Sequence, residues 1–117
     1  MIFGIGNDII RISKFDTISE HFIKRIYTER EVEAAKGRPS FYAGNFSVKE
    51  SVAKAFGTGI RGFNLNDIEV LRDELGKPYV TLYNDAKRKS HELGINNIFV
   101  SISNYEDYVS TMAVAEK

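Results

Sequence analysis

The spacing of apolar positions changes several times along the chain, and each change marks an element. In IFGIGND, Ile2, Gly4, Gly6 and Asp8 share one face of a short strand while Phe3, Ile5 and Asn7 share the other. Two glycines thus leave one face bare just before an acid. From Ile12 to Ile26 the period lengthens, placing Phe15, Ile18, Phe22 and Ile26 at helical spacing. This predicts an amphipathic helix, continuous or broken near Ser19, with Arg11, Lys14, Lys24 and Arg25 on its other side. Thr28-Glu29-Arg30-Glu31 fits a capping box and opens a second helix ending at Gly37. A third and longest helix starts near Pro39 and stops at Gly57.

Alternation of period two then takes over. DIEVLRD and PYVTLY flank ELGK, a hairpin signal in which Gly76 supplies a positive φ and Pro78 opens a strand. Asn84 is placed to cap a short helix, DAKRKSHEL, that ends at Gly94, and IFVSIS and YVSTMAVA read as strands around the turn NYED. The order of elements predicts an α+β fold, a mainly antiparallel sheet covered by helices. No repeat, linker or low-complexity stretch divides the chain, so residues 1–117 are expected to form a single domain.

Composition narrows the function classes. Apolar residues make up 43% and charged residues 27%, the balance of a globular protein, and sixteen basic residues match sixteen acidic ones. That parity argues against a dedicated nucleic-acid binder, whose affinity rests on a broadly positive face. With no cysteine there is no disulfide, thiolate metal site or cysteine nucleophile. The N-terminal stretch lacks the basic and apolar regions of a signal peptide, and no run of about eighteen apolar residues occurs. A cytoplasmic protein without a membrane partner is the expectation. The two histidines, His21 and His91, fall on polar helix stretches and are expected at the surface.

Candidate chemistry concentrates in FSVKESVAKAFGTG, Phe46–Gly59. At about 100° per residue, Tyr42, Phe46, Val48, Val52, Ala53, Ala55 and Phe56 form a broad apolar arc, and Ser47, Glu50, Ser51 and Lys54 gather on the opposite wedge. Either Glu50 and Lys54 are a solvated i,i+4 pair, contributing about 0.2–0.5 kcal/mol, or the wedge is a site. Lys49 lies inside the apolar arc, which a solvated face accommodates only if its stem snorkels outward. Gly57, Gly59 and Gly62 spell the dinucleotide-binding string, but the string follows a helix rather than a strand, so that reading fails. What remains is a GTG loop that serves either as a helix cap or as an anion-binding nest with Lys54 upstream. Asp8 is either a helix N-cap or a metal ligand. Jointly, Asp8, Glu50, Lys54 and the loop would suit Mg²⁺, which takes one or two carboxylates and completes its shell with water and substrate phosphate oxygens.

At these residues the sequence resembles the short bacterial 4'-phosphopantetheinyl transferases, the holo-acyl-carrier-protein synthases. GIGNDII resembles the family's opening G-x-D motif, FSVKESVAKAFGTG its F-x-x-K-E-x-x-x-K-A-x-G-T-G motif, and DELGKPYV and VSIS its later blocks, in the right order over essentially the whole chain. The resemblance implies Mg²⁺-dependent transfer of 4'-phosphopantetheine from coenzyme A to a serine of acyl carrier protein, releasing adenosine 3',5'-bisphosphate, within fatty acid biosynthesis. It also implies a homotrimer with active sites between subunits. By motif position Asp8 and Glu50 would be metal ligands and, with Lys54, the catalytic set. Lys54, Ser51, Gly57, Thr58, Gly59 and Asn104 would contact coenzyme A. The acidity of such carriers makes Arg11, Lys14, Phe22 and Arg25 the expected docking surface.

Three positions depart from the family pattern. Lys14 stands where arginine is usual, replacing a planar fork with a point charge. Asn45 also stands where arginine is common, removing an expected phosphate contact. Asn104 stands where histidine is frequent; it keeps hydrogen bonding but not charge. Two other function classes compete with transfer: an inactive relative that binds carrier protein or nucleotide, and an unrelated Mg²⁺-dependent phosphoryl-transfer or nucleotide-hydrolysing enzyme.

Overall fold

The computed structural model describes residues 1–117. It runs β1 (Ile2–Arg11), a 3₁₀ turn (Ile12–Phe15), α1 (Glu20–Ile26), α2 (Glu29–Ala35), α3 (Pro39–Phe56), a second 3₁₀ turn (Leu65–Asp67), β2 (Ile68–Arg72), β3 (Pro78–Leu82), α4 (Asn84–Glu92), β4 (Asn97–Tyr105) and β5 (Tyr108–Glu116). All strand pairs are antiparallel: β1, β5 and β4 form one sheet in that order, and β2 and β3 a separate hairpin. The expected α+β class stands. No helix is long and apolar enough to cross a membrane.

Small residues decide how α3 sits on the larger sheet. On its inner face Gly4 lies opposite Ala115 and Gly6 opposite Ala113. A Cβ built on Gly4 would stand 2.2 Å from the Ala55 carbonyl oxygen, and one on Gly6 only 2.0 Å from that of Ser51. The backbones of helix and strand are therefore in contact, which fixes where the residues after Gly6 emerge beside α3. Apolar clusters pack at both ends of the helix: Val48, Val52, Phe56, Ile68 and Val70 toward the hairpin and α4, and Phe15, Ile26, Tyr27, Phe41 and Tyr42 toward α1 and α2.

The caps read from the sequence are largely present. Thr28 and Glu31 close a capping box on α2, Pro39 occupies the first turn of α3, and Gly57 ends α3 at φ +82°. The break foreseen near Ser19 is real, because the Ser19 hydroxyl accepts from the Phe22 amide and opens α1 there. Asn84 does not cap α4: it is the helix's first residue, at φ +49°, and its side-chain amide turns toward Asp67. Asp107 in the β4–β5 turn accepts from both the amide and hydroxyl of Ser13, at 3.0 and 2.6 Å, pinning the segment that follows β1.

Lys49, anomalous within the apolar arc, does not snorkel outward. Its side chain is fully buried, and its ammonium donates to Glu31 Oε1 at 2.8 Å, to the Leu65 carbonyl at 3.1 Å and to the Ile68 carbonyl. Glu31 is equally buried and also accepts from the Thr28 amide, the Val70 amide and the side-chain amide of Asn45 at 2.8 Å. One ion pair thus ties α2, α3 and β2 together. Burial lowers the Lys49 pKa and the Glu31 charge opposes that fall. Asn45 is likewise turned inward and fully buried, so position 45 serves the interior rather than a phosphate.

The outer face of the larger sheet carries no covering layer. Ile5, Ile9, Phe99, Tyr105 and Met112 are half or more exposed there, interspersed with Asn7, Ser101, Ser103 and Ser110. An antiparallel sheet that faces water on one side ordinarily alternates toward polar residues on that side.

Removing one partner of a buried pair leaves an uncompensated charge, whereas removing both does not. Lys49→Met is accordingly expected to cost about 3–5 kcal/mol in urea unfolding, and the Glu31→Gln/Lys49→Met double variant markedly less than the sum of the two single changes. Additive losses in that cycle would mean that the two groups do not interact.

Candidate active site

The inward alternation of β1 that presents Gly4 and Gly6 to α3 next presents Asp8. It emerges opposite Thr111 of β5 and beside the solvent-facing edge of the helix. Asp8 Oδ1 lies 3.4 Å from the Lys54 ammonium, which also donates to the Asn7 carbonyl at 2.8 Å. Asp8 Oδ2 accepts from the Ser47 hydroxyl at 2.9 Å. Glu50, one turn before Lys54, is half-buried, and its pKa is raised first by burial and then by the negative charge of Asp8, with Lys54 offsetting part of this. Two acids 42 positions apart in the sequence and one lysine therefore share one electrostatic environment, the end of β1 having met the wedge of α3 that helical geometry predicted.

The polar wedge of α3 proves to be two surfaces rather than one. Glu50 and Lys54 face solvent, but Ser47 and Ser51 are fully buried against β5, each with its hydroxyl on Thr111 Oγ1, at 2.8 and 2.7 Å. Ser51 has no exposed surface to offer coenzyme A, and its expected contact is withdrawn. Thr111, which sequence reasoning did not single out, is the residue that meets both serines. Its only signal was a polar position within the alternating run Val109, Thr111, Ala113, Ala115.

The glycine loop stands at the C-terminal end of the same helix. Gly57, Gly59 and Gly62 all have positive φ, and a Cβ on Gly57 or Gly59 would meet nothing within 4 Å, so the loop surface is open. The Gly57 amide is consumed by the helix end, donating to the Lys54 carbonyl at 3.0 Å, whereas those of Thr58 and Gly59 have no acceptor in the chain. Phe63, stacked edge-on against Phe56 at 5.6 Å, and Lys89, donating to the Arg61 carbonyl at 3.2 Å, hold the loop's far end.

Other expected residues lie elsewhere. Asn104 sits toward the far end of β4, two strands from β1, in a recess of about 280 Å³ with Arg38, Ser40, Gly44 and Arg72. The buried Nη1 of Arg72 has no hydrogen-bond partner there. Lys14 and Arg25 are exposed and make no ion pair. Arg11 belongs to the end of β1, not to a helix, and stacks over the Tyr108 ring at 5.2 Å. Phe22 is half-buried, packed on Phe15, Tyr27 and Phe46 with ring centroids 6.0–6.3 Å away, so it supports α1 more than it presents itself. His21 and His91 are at the surface.

No trio of His, Asp or Glu side chains converges anywhere to form a metal cage. The donor set at Asp8 and Glu50 is two hard carboxylates, each partly exposed, which suits an ion that fills its remaining positions with water and ligand oxygens. A cation there would also relieve the repulsion that raises the Glu50 pKa.

A profile described as the 4'-phosphopantetheinyl transferase superfamily matches residues 4–113. The holo-[acyl-carrier-protein] synthase of Lachnoclostridium phytofermentans is 46% identical over 118 residues, covering 99% of this chain and 97% of the relative. Among solved structures, the holo-[acyl-carrier-protein] synthase of Neisseria meningitidis superposes with a TM-score of 0.91 at 34% identity, covering 100% of both chains. That of Bacillus anthracis, solved with CoA (3',5'-ADP), gives 0.82 at 34% identity, covering 98% of this chain and 96% of that one.

A carboxyl whose pKa is raised by folding stabilises the fold below its unfolded pKa, about 4.3 for Glu, and that stabilisation is lost as pH rises through the folded value. Ionised Glu50 therefore opposes folding at neutral pH. In the presence of a chelator, Glu50→Gln is expected to melt at a higher temperature than the parent at pH 7.5, the gap closing toward pH 4. A lower melting temperature at pH 7.5 would make Glu50 a structural partner instead.

Proposed function

Because the chain belongs to the 4'-phosphopantetheinyl transferase superfamily and is an enzyme of the holo-acyl-carrier-protein synthase kind, we propose that Asp8, Glu50 and Lys54 carry its transfer of 4'-phosphopantetheine from coenzyme A to a serine of apo-acyl carrier protein. The serine hydroxyl oxygen bonds to the phosphorus that bears pantetheine, and the P–O bond to the departing adenosine 3',5'-bisphosphate breaks. The hydroxyl proton passes to solvent water as the new P–O bond forms. The observation that carries this reading is the meeting of Asp8, Glu50 and Lys54 at the helix whose end forms the open glycine loop.

Such a reaction moves negative charge onto a leaving phosphate, so catalysis rests on positioning and charge stabilisation. Asp8 and Glu50 would hold Mg²⁺, which when bound supplies positive charge to pyrophosphate oxygens. Lys54, exposed and 3.4 Å from Asp8, adds a second cation beside the reacting phosphates. The free amides of Thr58 and Gly59 are donors for the nucleotide end, and the open space over both glycines lets a ligand approach the backbone. Lys14 and Arg25, unpaired and exposed, with Arg11 nearby, form the side that an acidic carrier protein would meet.

Asn104 enters this reading through a second subunit. Its recess gathers two guanidiniums and no acid, a lining suited to phosphate, yet it lies apart from Asp8. We read the uncovered apolar sheet face as the contact of a homotrimer in which the recess of one subunit completes the site of the next.

Incubation with apo-carrier, coenzyme A and Mg²⁺ should add one phosphopantetheine to the carrier's mass, and Glu50→Gln should lower that rate at least a hundredfold. Complex formation without a mass gain would favour a binding module, and nucleotide breakdown with unmodified carrier a hydrolase. For the shared site, Glu50→Gln and Arg72→Met/Asn104→Ala subunits, each inactive alone, should regain activity when co-refolded, in about a quarter of sites by random mixing. Activity that stays absent in verified mixed trimers would confine each site to one subunit.

A further inference from the structure

Three buried hydroxyls lead from the interior to Asp8, and their hydrogen bonds have only one consistent direction. The Asp8 carboxylate accepts only, so Ser47, 2.9 Å from Oδ2, spends its single proton there. Ser47 must then accept from Thr111, 2.8 Å away, and Thr111, its proton used, must accept from Ser51 at 2.7 Å. Ser47 and Ser51 are fully buried and Thr111 nearly so, so water does not replace these partners.

We propose that Ser51, Thr111 and Ser47 are positioning residues that hold the Asp8 carboxylate in one orientation, committing Oδ2 to the interior and leaving Oδ1 for Lys54 and a divalent cation. Burial makes the arrangement stiff. The two serines lie on successive turns of α3, which the glycine contacts clamp against β1, and Thr111 lies directly across from Asp8 in the sheet register. A free carboxylate at a strand end would sample rotamers that turn Oδ1 from the ligand side; one with Oδ2 already satisfied does not. Polarisation along aligned hydroxyls strengthens the last bond of the row, so a residue two steps from Asp8 still affects it.

The inference rests on Asp8 being a cation ligand, and the experiment separates the two. Binding of Mn²⁺ as a spin probe is titrated by electron paramagnetic resonance in the presence of coenzyme A, without carrier protein, alongside thermal melts. Ser47→Ala is expected to weaken Mn²⁺ binding about tenfold, Thr111→Val less, and Ser51→Ala least, a gradient following the number of steps from Asp8. Thr111→Ser should restore the parent value, since it returns the hydroxyl without the methyl. In carrier titrations, Ser47→Ala should leave KM for the carrier unchanged. Variants that melt lower but bind Mn²⁺ as the parent does would make the hydroxyls packing alone and overturn the proposal. No Mn²⁺ binding by the parent, or binding unaffected by Asp8→Asn, would overturn the ligand assignment and the proposal with it.

Discussion

Two missing side chains set the geometry of this protein. Gly4 and Gly6, backed by Ala115 and Ala113 on the neighbouring strand, let an eighteen-residue helix lie with its backbone against a β-strand. A methyl group at Gly6 would occupy space 2.0 Å from a helix carbonyl, and neither backbone can yield there without shifting the other. The strand's period then does the rest. Two residues beyond Gly6 the next inward position is an acid, and it arrives where the helix has turned its own acid and lysine outward.

The same helix is held from its opposite flank by a charge pair with no access to water. Lys49 precedes Glu50 in sequence but points about 100° away from it, into the junction of α2 and β2. There Glu31 meets four donors and Lys49 three acceptors. A fully satisfied buried pair favours one packing of its surroundings over alternatives, because any shift strands a charge. The rotation of α3 about its axis is thus set by Lys49 inside and read out by Glu50 outside.

Where local chemistry decides structure, the sequence was legible. The capping box at Thr28, the proline start and glycine stop of α3, the break at Ser19 and the two hairpins each follow from backbone hydrogen bonding within a few residues. That Glu50 and Lys54 share one face of α3 followed from helical angle alone, although the ion pair that Lys54 makes is with Asp8. Legibility failed where the environment is assembled from distant segments. A hydroxyl on a helical wheel looks solvated, and only the arrival of β5 some sixty residues later shows that Ser47 and Ser51 meet Thr111. Lys49 was anomalous on the wheel, but its partner, eighteen positions away, had already been explained as a cap. Asn104 joined the expected site by motif, while the strand order sets it two strands away from Asp8.

The sheet that carries Asp8 joins the first strand to the last, with Asp8 paired across from Thr111 about a hundred residues later. Contacts of such sequence separation form slowly, since most of the chain's entropy must be lost before they reward it. During synthesis, β1 leaves the ribosome long before its partner exists, so helices and the β2–β3 hairpin have time to form around a strand that cannot yet pair. The meeting of Asp8 with Thr111 therefore belongs to the late part of folding, and a nascent chain without β5 holds Asp8, Glu50 and Lys54 before the hydroxyl that faces Asp8 across the sheet has been made.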